Sequence, residues 1–387
     1  MKLPLHPTPT RRRAPPRQPL LSSLPGEELG ELLVRAGGTP SQARSAAARV
    51  IAYVFGQGGS RGRLVPEWSP EALGALGIGA WAHPALLALD PTSSLELSER
   101  APAADGTERL LLAARDGELL ETVIIPGPQR TTVCISSQVG CARACSFCET
   151  GKLGLVRQLD AGEIVDQVRV ARALWGDKHP PIQNVVFMGM GEPFDNLEQV
   201  ARATRVLTDD RGIALAKSRI TVSTVGVADK LEAFFATCRA ELAISLNAPD
   251  DARRSAIMPV NQRFPLDTLM SELCRTLPKG HKVLFEYILF AGENDAAEDA
   301  DTVAALVRRV PSRVNVIPAN PGPDARLAAP SPERVDAFVA RLAQLGVVTL
   351  VRRPRGRDVG GACGQRAGSR RRELAPAVSY GSTQSPV

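Results

Sequence analysis

From about residue 130 the apolar positions switch between two periods. Short runs at Thr131–Ser136, Asn184–Met188, Arg219–Val225, Glu241–Leu246, Val283–Phe290, Arg313–Ile317 and Val347–Val351 alternate or are continuously apolar, and read as strands. Between them apolar residues recur every three or four positions, near 160–175, 196–208, 228–237, 265–277, 296–310 and 331–345. That is the spacing of helices with one buried face. Strand and helix in alternation imply a parallel sheet with right-handed crossovers. Six or so such units predict an α/β fold with a partial or full β/α barrel.

The pattern upstream differs. Leu95–Leu97, Arg109–Ala113 and Glu121–Ile125 are short alternating runs, with turn signals at Asp105-Gly106 and Asp116-Gly117. They predict a β-meander leading into the main domain. Glu121 then lies on its last strand, close to whatever follows Cys134. Further upstream, Pro25-Gly26-Glu27-Glu28, Thr39-Pro40-Ser41 and Pro70-Glu71 have the chemistry of helix starts, followed by apolar faces. The expected division is a basic, disordered tail over 1–22, a helical accessory domain over 23–92, the meander over 93–128, the barrel core over 129–365 and a disordered tail over 366–387. The accessory unit reads equally as an RNA-holding module or as a structural cap.

Composition narrows the class. With 44% hydrophobic and 23% charged residues, the 387-residue chain is ordinary globular material. No run approaches the length of a membrane span. Seven cysteines with no secretory segment before them fit a reducing cytoplasm. The net charge of +6 is compatible with nucleic acid, but much of it lies in the tails. An aromatic content of 4% argues against a broad base-stacking platform.

In a β/α barrel, chemistry collects at the C-terminal ends of the strands. There this chain places Cys141–Cys148, Gly189-Met190-Gly191-Glu192-Pro193, Ser223, Ser245-Leu246-Asn247, Asn320 and Cys363. Cys141, Cys145 and Cys148 are spaced C-x3-C-x2-C. A cubane iron–sulfur cluster normally takes four thiolates, so three leave one iron open to a substrate. A zinc site and a structural disulfide pair are the rivals. Cys238 and Cys274, beside helical segments, read as buried free cysteines. Cys363 sits in a Gly- and Arg-rich loop, where neighbouring arginines would favour the thiolate. It reads as a nucleophile, a fourth cluster ligand or an inert thiol.

The cysteine spacing, with Phe147 before the last Cys, resembles the radical S-adenosylmethionine (SAM) superfamily. The strings LETVIIP, TVCISSQVGCARACSFC, NVVFMGMGEPFDN, ITVSTVGV, LAISLNAP, VNVIPANP and GACGQ together resemble the RlmN/Cfr family of radical SAM RNA methyltransferases over about residues 115–365. The resemblance implies a radical SAM partial (β/α)6-type barrel and methylation of an adenine ring carbon. It implies C2 of the peptidyl-transferase-centre adenine of 23S rRNA, with tRNA as a further substrate; the alternatives are a C8-methylating Cfr-type resistance enzyme and a non-catalytic iron–sulfur RNA-binding protein. Its cofactors would be a 4Fe–4S cluster on Cys141, Cys145 and Cys148 and two SAM molecules per turnover. By the same resemblance Cys363 becomes S-methylcysteine, Glu121 is the proton acceptor, and Cys134 resolves the product through a transient disulfide with Cys363. Gly191, Glu192, Ser223, Ser245, Leu246, Asn247 and Asn320 match the SAM-contacting positions. An external electron donor and a cytoplasmic monomer complete the expectation. The chain departs from the family pattern at Asn247, where a His is usual, at Ala319, and in the loop before Cys363.

Overall fold

Thr39 opens a helix with a reciprocal cap. Gln42 N donates to its hydroxyl (3.3 Å), and Thr39 N donates to the Gln42 side chain (3.0 Å). Pro40 takes the first helical position, where no N–H is needed. In the computed structural model, which describes residues 18–56, 64, 66–176, 179–320, 327–353 and 355–360, this helix is the second of four near the N-terminus. They are α1 (Gly26–Arg35), α2 (Pro40–Phe55), α3 (Pro70–Ala75) and α4 (His83–Leu87). Their buried faces, among them Leu29, Leu33, Val50, Val54, Leu73 and Leu86, belong to one core that continues into the barrel. Glu28 on α1 pairs with Arg202 and Arg205 (2.7 and 2.8 Å), which fastens this cap to the barrel's flank.

The meander follows as β1 (Leu95–Pro102), β2 (Glu108–Ala114) and β3 (Leu119–Ile125), each antiparallel to the next. β3 then pairs antiparallel with β4 (Thr131–Cys134) and so joins the barrel sheet. The remaining order is β5 (Gln138–Cys141), α5 (Glu149–Lys152), β6 (Gly154–Gln158), α6 (Ala161–Trp175), β7 (Ile182–Phe187), α7 (Leu197–Leu207), β8 (Ile220–Thr224), α8 (Leu231–Thr237), β9 (Glu241–Ser245), α9 (Asp251–Ile257), α10 (Leu266–Thr276), β10 (Val283–Leu289), α11 (Ala297–Val307), β11 (Ser312–Pro318), α12 (Pro332–Gln344) and β12 (Thr349–Val351). The sheet runs β1-β2-β3-β4-β7-β8-β9-β10-β11-β12. From β4 onward every neighbouring pair is parallel. Among the described residues β1 and β12 remain as edges, so this is a partial barrel, as expected.

The β5–β6 hairpin, the short helices α4 and α5, and α9 were not foreseen. β5 and β6 form a separate antiparallel hairpin around the cysteine loop. α9 is only seven residues long, too short to show helical periodicity; Asp250 caps it by accepting from Arg253 N (2.9 Å). Among the described residues no helix is long and apolar enough to cross a membrane.

α6 is buried almost all round, between the meander and the N-terminal cap. Its Asp166 accepts from Ser94 N and Oγ (both 2.7 Å) and from Arg169 Nη1 (2.6 Å). Both partners of this ion pair are buried. Asp166→Ala would take the carboxylate away from the buried Arg169 and Ser94, and is expected to cost about 3–5 kcal/mol. Urea unfolding measures this; an unchanged midpoint would refute it.

Candidate active site at the open end of the barrel

The cysteine loop leaves β5 at Cys141 and returns to β6 at Gly154. Gly140, at φ +77°, has no room for a Cβ against the carbonyl of Gly154, so glycine closes the hairpin at its neck. Ala144 adopts φ +52°, an uncommon conformation for a residue with a side chain. Cys148 N donates to Cys145 O (3.1 Å), and Arg143 N donates to Cys141 Sγ (3.4 Å). Arg143 grips Asp195 with two bonds, which ties the loop to the turn after Glu192. Phe147 packs on Phe290, ring centroids 5.8 Å apart.

The three thiols open into one hollow above the strand ends. Of the expected SAM-contacting residues, Gly191, Glu192, Ser223, Ser245 and Asn247 also line it. Leu246 is buried behind the wall, and Asn320, half-buried beyond β11, does not line it. Gly191 has φ +104°, and a Cβ there would stand 2.6 Å from the Gln138 side chain. Glu192 is buried, and both its oxygens accept backbone N–H groups: Oε1 from Phe194 and Oε2 from Val225 (2.9 Å each). The Thr224 side chain bonds to the carboxylate as well, and a carboxylate's roughly four lone-pair sites leave room for a ligand's ammonium group. Asn247 takes φ +56°, a conformation asparagine tolerates. Its Oδ1 accepts from Ile288 N (3.0 Å), so the side chain braces β10 as well as facing the hollow.

Desolvation governs the charges here. Burial pushes the Glu192 carboxyl up to about 7, against the pull of its two backbone bonds. Burial lifts the Cys141 thiol to about 12 and Cys145 higher, and the neighbouring thiols add to both shifts. The Cys141 and Cys145 thiols therefore keep their protons until a bound metal displaces them to solvent. Among the described residues no three Cys, His, Asp or Glu side chains are gathered as a single-ion cage. Cys141, Cys145 and Cys148 around a common hollow supply the three thiolates that a 4Fe–4S cluster with one open iron requires.

Glu121 and Cys134 share one face of the sheet. Val123 is paired with Cys134 across β3 and β4, and side chains two residues apart share a face, so Glu121 is on the face that carries Cys134. Ser136 Oγ donates to Glu121 O (2.7 Å) and accepts from Met190 N (3.0 Å), which links the meander to the Gly189–Glu192 turn. Gln167 on α6 holds Ser136 by both backbone groups and also accepts from Thr122 Oγ1 (3.0 Å). Glu121 Oε1 accepts from Arg109 Nη1 (3.2 Å), and Arg109 Nη2 donates to Glu99 Oε1 (2.9 Å). Burial nevertheless raises Glu121 to about 7, Arg109 opposing and Glu99 assisting.

Cys363 lies outside the described residues. The segment before it docks on the meander: Gly356 N donates to Asp105 Oδ2 (3.0 Å), and Ala104 N to Asp358 Oδ2 (2.9 Å). Cys238 is buried, as expected, but Cys274 is exposed and its thiol meets only the carbonyl of Arg309 (3.5 Å). It sits on the solvent face of α10, so the expectation of a buried thiol is corrected.

Sequence reasoning missed three charged residues of this site. Glu286 and Arg352 line the hollow. Asn315 Nδ2 donates to both oxygens of Glu286 (3.1 and 3.0 Å), and burial pushes the acid up. An acid within the apolar run Val283–Leu289 was a visible signal. Arg254, on α9 and fully buried, gave none.

Three comparisons bear on this geometry. The family model for the Radical SAM superfamily matches residues 135–304. A protein named "Probable RNA methyltransferase sce1580" from Sorangium cellulosum (strain So ce56) is 62% identical over 367 residues, 94% of this chain and 92% of that one. "Dual-specificity RNA methyltransferase RlmN" from Anaeromyxobacter dehalogenans (strain 2CP-C) is 39% identical, covering 93% of this chain and 96% of its own. The crystal structure of a radical SAM methyltransferase from Sphaerobacter thermophilus superposes with a TM-score of 0.78 at 36% identity, over 90% of this chain and 98% of that one.

Proposed function

Since the chain belongs to the RlmN/Cfr family of radical SAM RNA methyltransferases, we propose that it methylates C2 of an adenine in RNA, the peptidyl-transferase-centre adenine of 23S rRNA first and tRNA second. The observation that carries this reading is that the three thiols, Glu192, Ser223 and Ser245 line one hollow. Family membership implies a 4Fe–4S cluster and SAM. Bound by Cys141, Cys145 and Cys148, the cluster would supply one electron to SAM and leave one iron free to hold it.

The chain's own groups then divide the work. Glu192 meets the ligand's ammonium, while Ser223 and Ser245 meet its carboxylate and ribose. Asn247 offers its remaining lone pair, while Leu246 and Asn320 shape the wall from behind it. Cys363 carries the methyl group as S-methylcysteine, because an electron-poor adenine carbon does not attack SAM directly. Glu121 takes the ring proton, and Cys134 releases the product through a disulfide with Cys363. Two SAM molecules are consumed per turnover, one donating the methyl group to Cys363 and one being cleaved.

Mass spectrometry of rRNA and tRNA nucleosides from cells with and without the protein tests this directly. 2-Methyladenosine that disappears with the protein is the expected result; 8-methyladenosine, or no change, would overturn it. Glu121→Gln is expected to slow the single-turnover methylation rate by about 10²–10⁴-fold. Glu121 faces Arg109 on β2, Glu99 on β1 and the face of β4 that bears Cys134. Only its ionised form accepts a proton, so the rate should rise about tenfold per pH unit below about 7 and level off above. A flat profile would remove Glu121 from this role.

A further inference from the structure

Arg254 is fully buried, yet among the described residues its guanidinium makes no ion pair. All its bonds go to neutral oxygens. Nε donates to Leu246 O (3.0 Å), Nη1 to Asn261 Oδ1 (2.8 Å), and Nη2 to Val225 O (2.7 Å) and Ser245 O (2.9 Å). The other cations at the site differ: Arg143 is neutralised by Asp195, and Arg352 has Glu286 nearby. Asp251 acts on Arg254 electrostatically but bonds to Asn261 instead; a buried charge without an ion-pair partner is costly, and a guanidinium does not shed its proton to escape that cost. Placement suggests where the opposite charge comes from. α9, which carries Arg254, is bonded to the cysteine loop: Ser146 N donates to Ile257 O (3.0 Å). Arg254 and Cys145 also act on each other electrostatically, the guanidinium favouring the thiolate and the thiolate the guanidinium.

We propose that Arg254 is the counter-charge for the cluster-bound thiolates, set behind the ligand wall to favour the reduced cluster. The proposal rests on the reading that Cys141, Cys145 and Cys148 hold a 4Fe–4S cluster. Three thiolates on a cubane core of charge 2+ give a net negative assembly. One electron, from dithionite in the test below, adds a further negative charge and no proton. A fixed cation nearby lowers the free energy of that state more than of the oxidised one. Arg254 is thereby a positioning and tuning residue: it touches neither SAM nor RNA, and the same side chain holds the carbonyls of Val225, Ser245 and Leu246 in place.

The test separates charge from shape. Arg254→Lys and Arg254→Gln both lose the planar fork, and only the first keeps the charge. Each full-length protein is reconstituted anaerobically without RNA or SAM, its iron content measured, and the cluster titrated by electron paramagnetic resonance at fixed potentials. At a given potential the reduced-to-oxidised ratio of Arg254→Gln should fall at least tenfold below wild type. For a one-electron couple this is a shift of about 59 mV or more to the negative. Arg254→Lys should stay within about threefold of wild type. Should Arg254→Gln not fold, Asn261→Asp, which sets a carboxylate against Nη1, carries the same expected shift. Clusters loaded to wild-type iron content with unmoved midpoints in the neutralising variants would overturn the proposal alone. A wild-type protein that takes up no cluster would overturn the functional reading and this assignment with it.

Discussion

Cys363→Ala is expected to abolish RNA methylation completely while cluster iron content and SAM binding stay at wild-type levels. On the proposed function the acceptor is an electron-poor adenine carbon that does not attack a methyl sulfonium, and a sulfur carries the methyl group between them. Cys363 suits that role chemically. Arg352, Arg353, Arg355 and Arg357 precede it, and Gly360, Gly361 and Gly364 surround it with little bulk. The described part of this segment bonds to the meander that bears Glu121. Arg355 Nη1 donates to Pro126 O (3.3 Å), and Gly356 and Asp358 exchange bonds with the turn at 104–105. Peptide mass spectrometry of wild-type protein incubated with SAM should show a methyl group on the Cys363 peptide. Full turnover in Cys363→Ala would rule out a methyl-carrying cysteine.

Cys145→Ala should remove the cluster itself. Cys145 is the middle anchor of the three and is buried against the barrel core. Losing it leaves Cys141 and Cys148 with two irons lacking protein ligands, and iron bound per protein after reconstitution should fall several-fold. Reductive cleavage of SAM should fall below detection. The fold should survive, because thiol-to-methyl is a small change in volume and costs about 1 kcal/mol. Cys238→Ala is the matched control. That thiol is equally buried, with its ionisation disfavoured by burial, but it lies beyond α8 and away from the hollow. It should retain full iron and full activity. Equal iron loss in both variants would mean that general destabilisation, and not ligand loss, empties the site.

The parallel strands and most helices of the barrel were legible in the chain because their signals are local. A seven-residue strand such as Val283–Leu289 or a fifteen-residue helix such as Ala161–Trp175 contains its own period. Strand ends follow from strands, so the cysteine loop, the Gly191-Glu192 turn, Ser223 and Ser245 could be assigned to one face before any coordinates existed. What lay out of reach was decided by segments distant in sequence. Whether Cys238 or Cys274 faces solvent depends on which side of its helix meets the sheet. Asn247 lines the hollow, but its left-handed backbone and its bond to Ile288 arise only when β9 and β10 lie side by side. Gln167 clasps Ser136 from 31 residues away, and through Ser136 sets the strand of Glu121 against the Met190 turn. Arg254 shows the difference most clearly. On the page it is one arginine among many in a short polar stretch. In the fold it is a buried cation, because two strand ends and a seven-residue helix close around it, and a buried charge draws its meaning from neighbours that the chain brings together only on folding.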